Sequence, residues 1–148
     1  MDRFITYVKR KKHESALLKS NNKTPLFTLN GKLKLCKVVN VYDGDTCKVV
    51  FNHNKKLFRW NIRMDGYDSP EMRPSRNKIG REKEIIEAKK AKQYLINKVQ
   101  NKDQLVYIKC GEFDKYGRLL GKLYINRNDK ISVNELMIKN NFGYAYDG

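Results

Sequence analysis

The chain has 148 residues, enough for one domain with a single core and marginal for two. Lys and Arg total 32 against 16 Asp and Glu, a formal net charge of +16 that attracts polyanions, nucleic acid first and an anionic membrane surface as the competing partner. No long apolar run exists to span a bilayer, and the opening MDRFITYVKRKKHE is charged too early for a secretory apolar region, which implies an intracellular protein.

Residues 1–30, rich in Lys, Asn and Ser, read as a basic extension or arm ahead of a folded domain over residues 31–148, with Leu26 and Phe27 as candidate docking points. From Leu33 the pattern becomes extended. Lys32–Tyr42 and Thr46–Phe51 are strand-like runs split by Asp43-Gly44, a hairpin signal, and a second turn at Asn52-His53-Asn54 leads into Lys56–Met64. There Phe58, Trp60, Ile62 and Met64 share one face, while Leu57, Arg59, Asn61 and Arg63 share the other, as in a half-buried strand. Gly66 to Pro70 ends it. Glu82–Asn101 reads as a helix with Ala88, Ala91, Leu95 and Val99 on its apolar side.

Two more strands are predicted, Gln104–Cys110 and Leu119–Ile125, joined by the loop Gly111–Arg118. A capping box, Ser132-Val-Asn-Glu135, opens a last helix with Leu136 and Met137 facing inward. Three strands, helix, two strands, helix suits an α+β architecture: a five-stranded Greek-key barrel of the OB type with helices packed on it. The three cysteines, Cys36, Cys47 and Cys110, lie far apart in apolar runs. They read as small buried hydrophobes in a reducing compartment, without the paired spacing of a zinc site.

Against the basic background stand three acidic clusters: Val41-Tyr42-Asp43-Gly44-Asp45-Thr46, Asp65-Gly66-Tyr67-Asp68-Ser69-Pro70-Glu71, and Asp114-Lys115-Tyr116-Gly117-Arg118. Each alone passes for a turn. Together they hold what phosphodiester hydrolysis needs: carboxylates for a hard cation, guanidinium groups for phosphate oxygens, and a free carboxylate to take a proton from water. Asp45 and Asp68 are the candidate metal ligands, Glu71 the candidate base, and Arg63 and Arg118 the candidate phosphate clamps. The Asp43–Asp45 run is no EF-hand, because Cys47 stands where an oxygen ligand belongs and no loop glutamate follows.

The order of these motifs resembles the staphylococcal nuclease family over roughly residues 33–146, with Val133-Asn134-Glu135 and Glu87-Ala88 as further matches. The resemblance implies an OB-fold nuclease with one calcium ion, acting on single-stranded DNA and on RNA and leaving 3′-phosphates. It implies calcium held by Asp45, Asp68 and the backbone carbonyl of Ser69, with Asp43 behind them. It implies water held or deprotonated by Glu71, phosphate bound by Arg63 and Arg118, and a nucleotide near Lys115 and Tyr116.

Tyr144 or Tyr146, in the closing run Phe142–Gly148, falls near the family's nucleotide site, where stacking on a base and packing in the core fit equally. The Met72–Arg81 stretch, with Arg73, Arg76, Lys78 and Arg81, reads either as contacting phosphates beyond the cut or as a solvated loop. His53 falls in a hairpin longer than the family's prototype. The composition and ending also look similar to homologues in large DNA viruses, placing a monomeric enzyme in the cytoplasm of an infected cell. The rival reading is a non-catalytic nucleic-acid-binding module on the same fold.

Overall fold

A computed structural model describes residues 2–146; Met1 and the closing Asp147 and Gly148 lie outside the described residues. Five strands close into a barrel in the order β1-β2-β3-β6-β5, with β5 pairing back to β1: β1 (Leu33–Val41), β2 (Thr46–His53), β3 (Lys56–Met64), β5 (Val106–Phe113) and β6 (Leu119–Tyr124). All pairings are antiparallel except β3 with β6, which run parallel. This is the expected OB-type barrel.

The alternation in the sequence explains the packing. Cys47, Val49 and Phe51 of β2 and Ile62 and Met64 of β3 point into the core with Cys36, Ile108, Cys110, Leu119 and Leu123. Helix α2 (Arg81–Val99) lays Ala88, Ala91, Leu95 and Val99 on the barrel, and helix α3 (Val133–Lys139), capped by the Ser132 hydroxyl accepting from Glu135 N, adds Val133 and Met137. Leu136, expected fully inside, is only half-buried. All three cysteines are buried free thiols, as their apolar surroundings predicted.

Phe58 is exposed although it shares the inward face of β3 and pairs across the β2–β3 hairpin with the buried Phe51. The hairpin's turn is Asn54-Lys55, both with positive φ (51° and 66°), one residue later than expected. A two-residue loop of this kind matches the right-handed twist of the strands it joins.

The N-terminal segment forms a helix, α1 (Arg3–Lys19), capped by the Asp2 carboxylate and burying no residue. Of the candidate docking points, Leu26 is exposed, and Phe27 sets its ring edge-on to His53 at 5.3 Å. Leu29 enters the core instead. No helix among the described residues is long and apolar enough to cross a membrane.

Candidate functional site

Strand register brings the acidic clusters together around Arg63. On one side Arg63 pairs with Thr46, the first residue of β2, so Asp43–Asp45 lies alongside. On the other it pairs with Leu120, two residues after Arg118. Its own strand continues into β4 (Tyr67–Asp68), which pairs with β7 (Tyr144–Ala145). The three segments therefore converge because β3 lies between β2 and a parallel β6.

Each segment has its own anchor. Gly44 is needed for close approach, since its φ is not in the left-handed region: a Cβ there would sit 2.7 Å from Ser69 Cβ and 2.9 Å from Ala91 Cβ. The buried Tyr67 hydroxyl donates to Gly44 O at 2.7 Å, tying β4 to the turn. Asn134 of α3 donates to Asp65 O and Gly121 O and accepts from Leu123 N, pinning the exit of β3 to β6. In the third segment Gly117 adopts φ +80°, a conformation that favours glycine. Asp114 accepts from the backbone N–H groups of Tyr116 and Arg118 and from Arg118 Nε at 2.8 Å. Partial burial raises the Asp114 pKa, but these hydrogen bonds outweigh it and hold the carboxyl below its ordinary range.

Arg63 is a hub. Its guanidinium donates to Met64 O (3.0 Å) and Tyr67 O (2.9 Å), lies 3.4 Å from Asp45 Oδ2, and pairs with Asp68. Asp45 is held further by Ser69 N, 2.8 Å from Oδ2, and by the Thr46 hydroxyl at Oδ1. Arg118 differs: its Nε is taken by Asp114, and its two terminal amino groups have no hydrogen-bond partner among the described residues.

Two connected grooves result. The first, about 380 Å³, is lined by Arg63, Asp68, Lys115, Tyr116, Arg118 and Tyr146 among others. The exposed Tyr116 ring lies 5.2 Å from Lys115 Nζ and 5.3 Å from Arg118 Cζ, an aromatic flanked by two cations. The second, about 480 Å³, is lined by Tyr42, Asp43, Asp45, Thr46, Asp68, Ser69, Pro70, Glu71, Glu84 and Arg118. Asp68 and Arg118 belong to both grooves.

The second groove carries five carboxylates and one arginine on a protein of net charge +16, a local reversal of sign. Burial, and then the neighbouring charge of Asp45, push the Asp43 carboxyl up to about 6. A bound cation relieves such crowding, so the donor set fits one. Among the described residues no three His, Cys, Asp or Glu side chains cluster tightly enough to cage a metal ion by themselves. A cation here would take two carboxylates with backbone carbonyl and water oxygens, the mixed oxygen coordination of calcium.

Of the residues singled out in the sequence, Asp43, Asp45, Asp68, Ser69, Glu71 and Arg118 line the acidic groove, and Arg63, Lys115, Tyr116 and Tyr146 line the other. Tyr144 lines neither; it is exposed on β7, paired with Asp68 through the backbone. Glu87 also lies outside both grooves, while Ala88 beside it is buried under α2. Besides the apolar Met64 and Leu120, two lining residues were given no role in the sequence reading. Glu84 reaches the groove from the first turn of α2, where it pairs with Lys78 at 2.6 Å and accepts from Glu71 N at 3.3 Å. Tyr42 stands just ahead of the Asp-Gly-Asp turn, and its position there was the available signal.

The barrel of OB type thus carries at its side an acidic groove on which guanidinium groups converge. The profile of the staphylococcal nuclease homologue family matches residues 61–147, more than half of the chain, and the protein belongs to that family. It is 33% identical over 123 residues to the uncharacterized protein MJ1439 of Methanocaldococcus jannaschii, covering 74% of this chain and 56% of that protein. It is 34% identical over 119 residues to the endonuclease YncB of Bacillus subtilis, covering 75% of this chain and 51% of that enzyme. The chain thus spans about half the length of these curated relatives.

Proposed function

We propose that this chain is a calcium-dependent nuclease that hydrolyses phosphodiester bonds of DNA and RNA, preferring single strands, by in-line attack of water that leaves a 3′-phosphate. The observation that carries this reading is that Asp45, Asp68, Glu71 and Arg118, from three separate segments, line one groove. Family membership and the name of the Bacillus relative support it. A module that only binds strands gains nothing from five carboxylates beside the phosphate, where they repel it.

In this reading the Asp45 and Asp68 carboxylates and the Ser69 carbonyl hold calcium, with Asp43 behind them. Bound calcium supplies positive charge against the phosphate and orients water. Arg118 has the freer guanidinium: Asp114 fixes its Nε edge, and its terminal amino groups remain for two phosphate oxygens. Their hydrogen bonds strengthen as charge builds on the five-coordinate phosphorus. Arg63 reaches the phosphate by exchanging its bond to Asp68 for one to a phosphate oxygen, while its carbonyl contacts keep it in place. Glu71, exposed and bonded through its backbone only, is free to hold or deprotonate the attacking water. Lys115, Tyr116 and Tyr146 receive a nucleotide in the adjoining groove, and Tyr144 flanks it.

The test incubates the purified protein with labelled single-stranded DNA and RNA, in calcium and in excess chelator. Cleavage of both strands in calcium alone is expected. Binding without cleavage in calcium overturns the nuclease reading, and full cleavage in chelator removes the metal from it.

A further inference from the structure

Tyr42 is shared by the acidic groove and a third one that the proposed chemistry does not use. It measures about 230 Å³ and is lined by Asn40, Val41, Tyr42, Met72, Arg73 and Lys92. Three elements build it: the end of β1, the segment after Glu71, and the middle of α2. No acidic residue lines it, in contrast to the groove next door. Neither Arg73 nor Lys92 has a carboxylate within ion-pair distance among the described residues. Tyr42, 60% exposed, borders both grooves, and its backbone N–H is fixed on Thr46 O at 3.0 Å.

The three grooves therefore follow one another. Asp68 and Arg118 join the first to the second, and Tyr42 joins the second to the third. Each outer groove carries an aromatic ring beside cations, the first with Asp65, Asp68 and Asp114 also in its lining and the third with no carboxylate. A nucleic-acid strand repeats anionic phosphate and stackable base at every step, so an aromatic ring beside cations on either side of the acidic groove matches a strand lying across the scissile position.

We propose that the Tyr42–Arg73–Lys92 groove is the subsite for the nucleotide beyond the scissile phosphate, on the side opposite Tyr116. The Tyr42 ring stacks on its base, and Arg73 and Lys92 hold its phosphate. The cleft is thus open at both ends and accepts the interior of a strand. The proposal rests on the nuclease reading of the central groove and adds the extent of substrate it engages.

The test uses fluorescence anisotropy in chelator at low salt. Two probes are compared: labelled dodecathymidylate, long enough to cross all three grooves, and labelled thymidine 3′,5′-bisphosphate, which fills one outer groove and the centre. Arg73→Glu/Lys92→Glu is expected to weaken dodecathymidylate binding about tenfold or more, while the bisphosphate stays within about twofold. Tyr42→Ala is expected to weaken the long probe about fivefold or more, the low end for loss of a base–aromatic stack.

The milder Arg73→Gln/Lys92→Gln pair repeats the direction with smaller amplitude, which separates the effect from any folding defect of the charge reversal. Lys102→Glu/Lys130→Glu, at exposed positions outside all three grooves, makes the same change in net charge and is expected to weaken binding far less. Equal weakening by that control overturns the subsite in favour of a general field. So does an unchanged affinity for the long probe, or a parallel loss of the bisphosphate. Binding that responds as expected, with no cleavage on adding calcium, leaves the subsite standing and removes the nuclease reading instead.

Discussion

Replacing Arg118 with alanine tests the central groove most directly. The side chain is held by one bond, Nε to Asp114 at 2.8 Å, and about a third of it is exposed. Its removal leaves Asp114 with the two backbone N–H bonds that shape the turn. Solvent screens a partly exposed pair of this kind, so the fold loses on the order of 1 kcal/mol or less. The catalytic loss is of another size. An oriented contact to charge that develops only in the transition state contributes about 3–4 kcal/mol. At about 1.4 kcal/mol per tenfold, turnover falls by two to three orders of magnitude.

The assay is the initial rate of cleavage of a labelled single strand at saturating calcium, paired with urea denaturation. The expected result is a collapse of kcat with little movement of the unfolding midpoint. Arg118→Lys keeps the charge but loses the two-pronged geometry, and it is expected to recover only a small part of the rate. A kcat for Arg118→Ala within a few-fold of the unsubstituted protein refutes the assignment. An unfolding midpoint that collapses with the rate shows that Arg118 acts through the turn instead.

Glu71→Gln is expected to cut turnover sharply with no change in the unfolding midpoint, since Glu71 is exposed and only its backbone is bonded; a melted domain would make its role structural. Excess chelator is expected to abolish cleavage, with recovery on adding calcium but not magnesium, because a mixed site of carboxylates, carbonyl and water suits the larger ion; equal recovery with magnesium argues against that selectivity. Tyr67→Phe leaves Gly44 O unpaired in a buried position and is expected to cost about 1–3 kcal/mol in urea unfolding, and an unchanged midpoint would show that water replaces the hydroxyl.

The cysteines give a pH-dependent readout: burial pushes Cys36 up to about 12 and Cys110 to about 11, so both stay protonated and unreactive to alkylating reagents at pH 8–9 until the protein unfolds. Because these folded values lie above the unfolded value of 9.0, their contribution to stability is complete below pH 9 and is lost as pH climbs through 11 and 12. Rapid labelling of the native protein at pH 8 would contradict the burial.

Much of the barrel was legible because its strands alternate strictly where they meet the core, as in Cys47, Val49 and Phe51 or Ile62 and Met64. Many of the groove-lining residues stood out for another reason: carboxylates and arginines are conspicuous when grouped at turns of a basic chain. Other features left weaker traces. Helix α1 has no continuous apolar stripe and buries none of its residues, so periodicity had little to register. The β4–β7 pairing is two residues long, too short for any alternation, yet it sets Asp68 beside Tyr144.

Gly44 resembled a turn glycine, but its reason is the nearness of Ser69 and Ala91, residues distant in the chain. Glu84 looked like any acidic residue in the first turn of a helix, and only the packing of α2 on the barrel brings it to the groove. In each missed case the deciding contact is lateral, between segments that the one-dimensional pattern does not relate.

The parallel pairing of β3 with β6 has a consequence for synthesis. As the chain emerges from its N-terminus, Asp45, Asp68 and Glu71 are all made before β6, and Arg118 comes only at its threshold. Until residues 119–121 pair with 62–64, the acids stand without Arg118, and the groove lined by Tyr116 and Tyr146 lacks the wall that β6 supplies. Asp68 and Arg118, shared by the two grooves, therefore come to face each other only when β6 joins and the cylinder shuts.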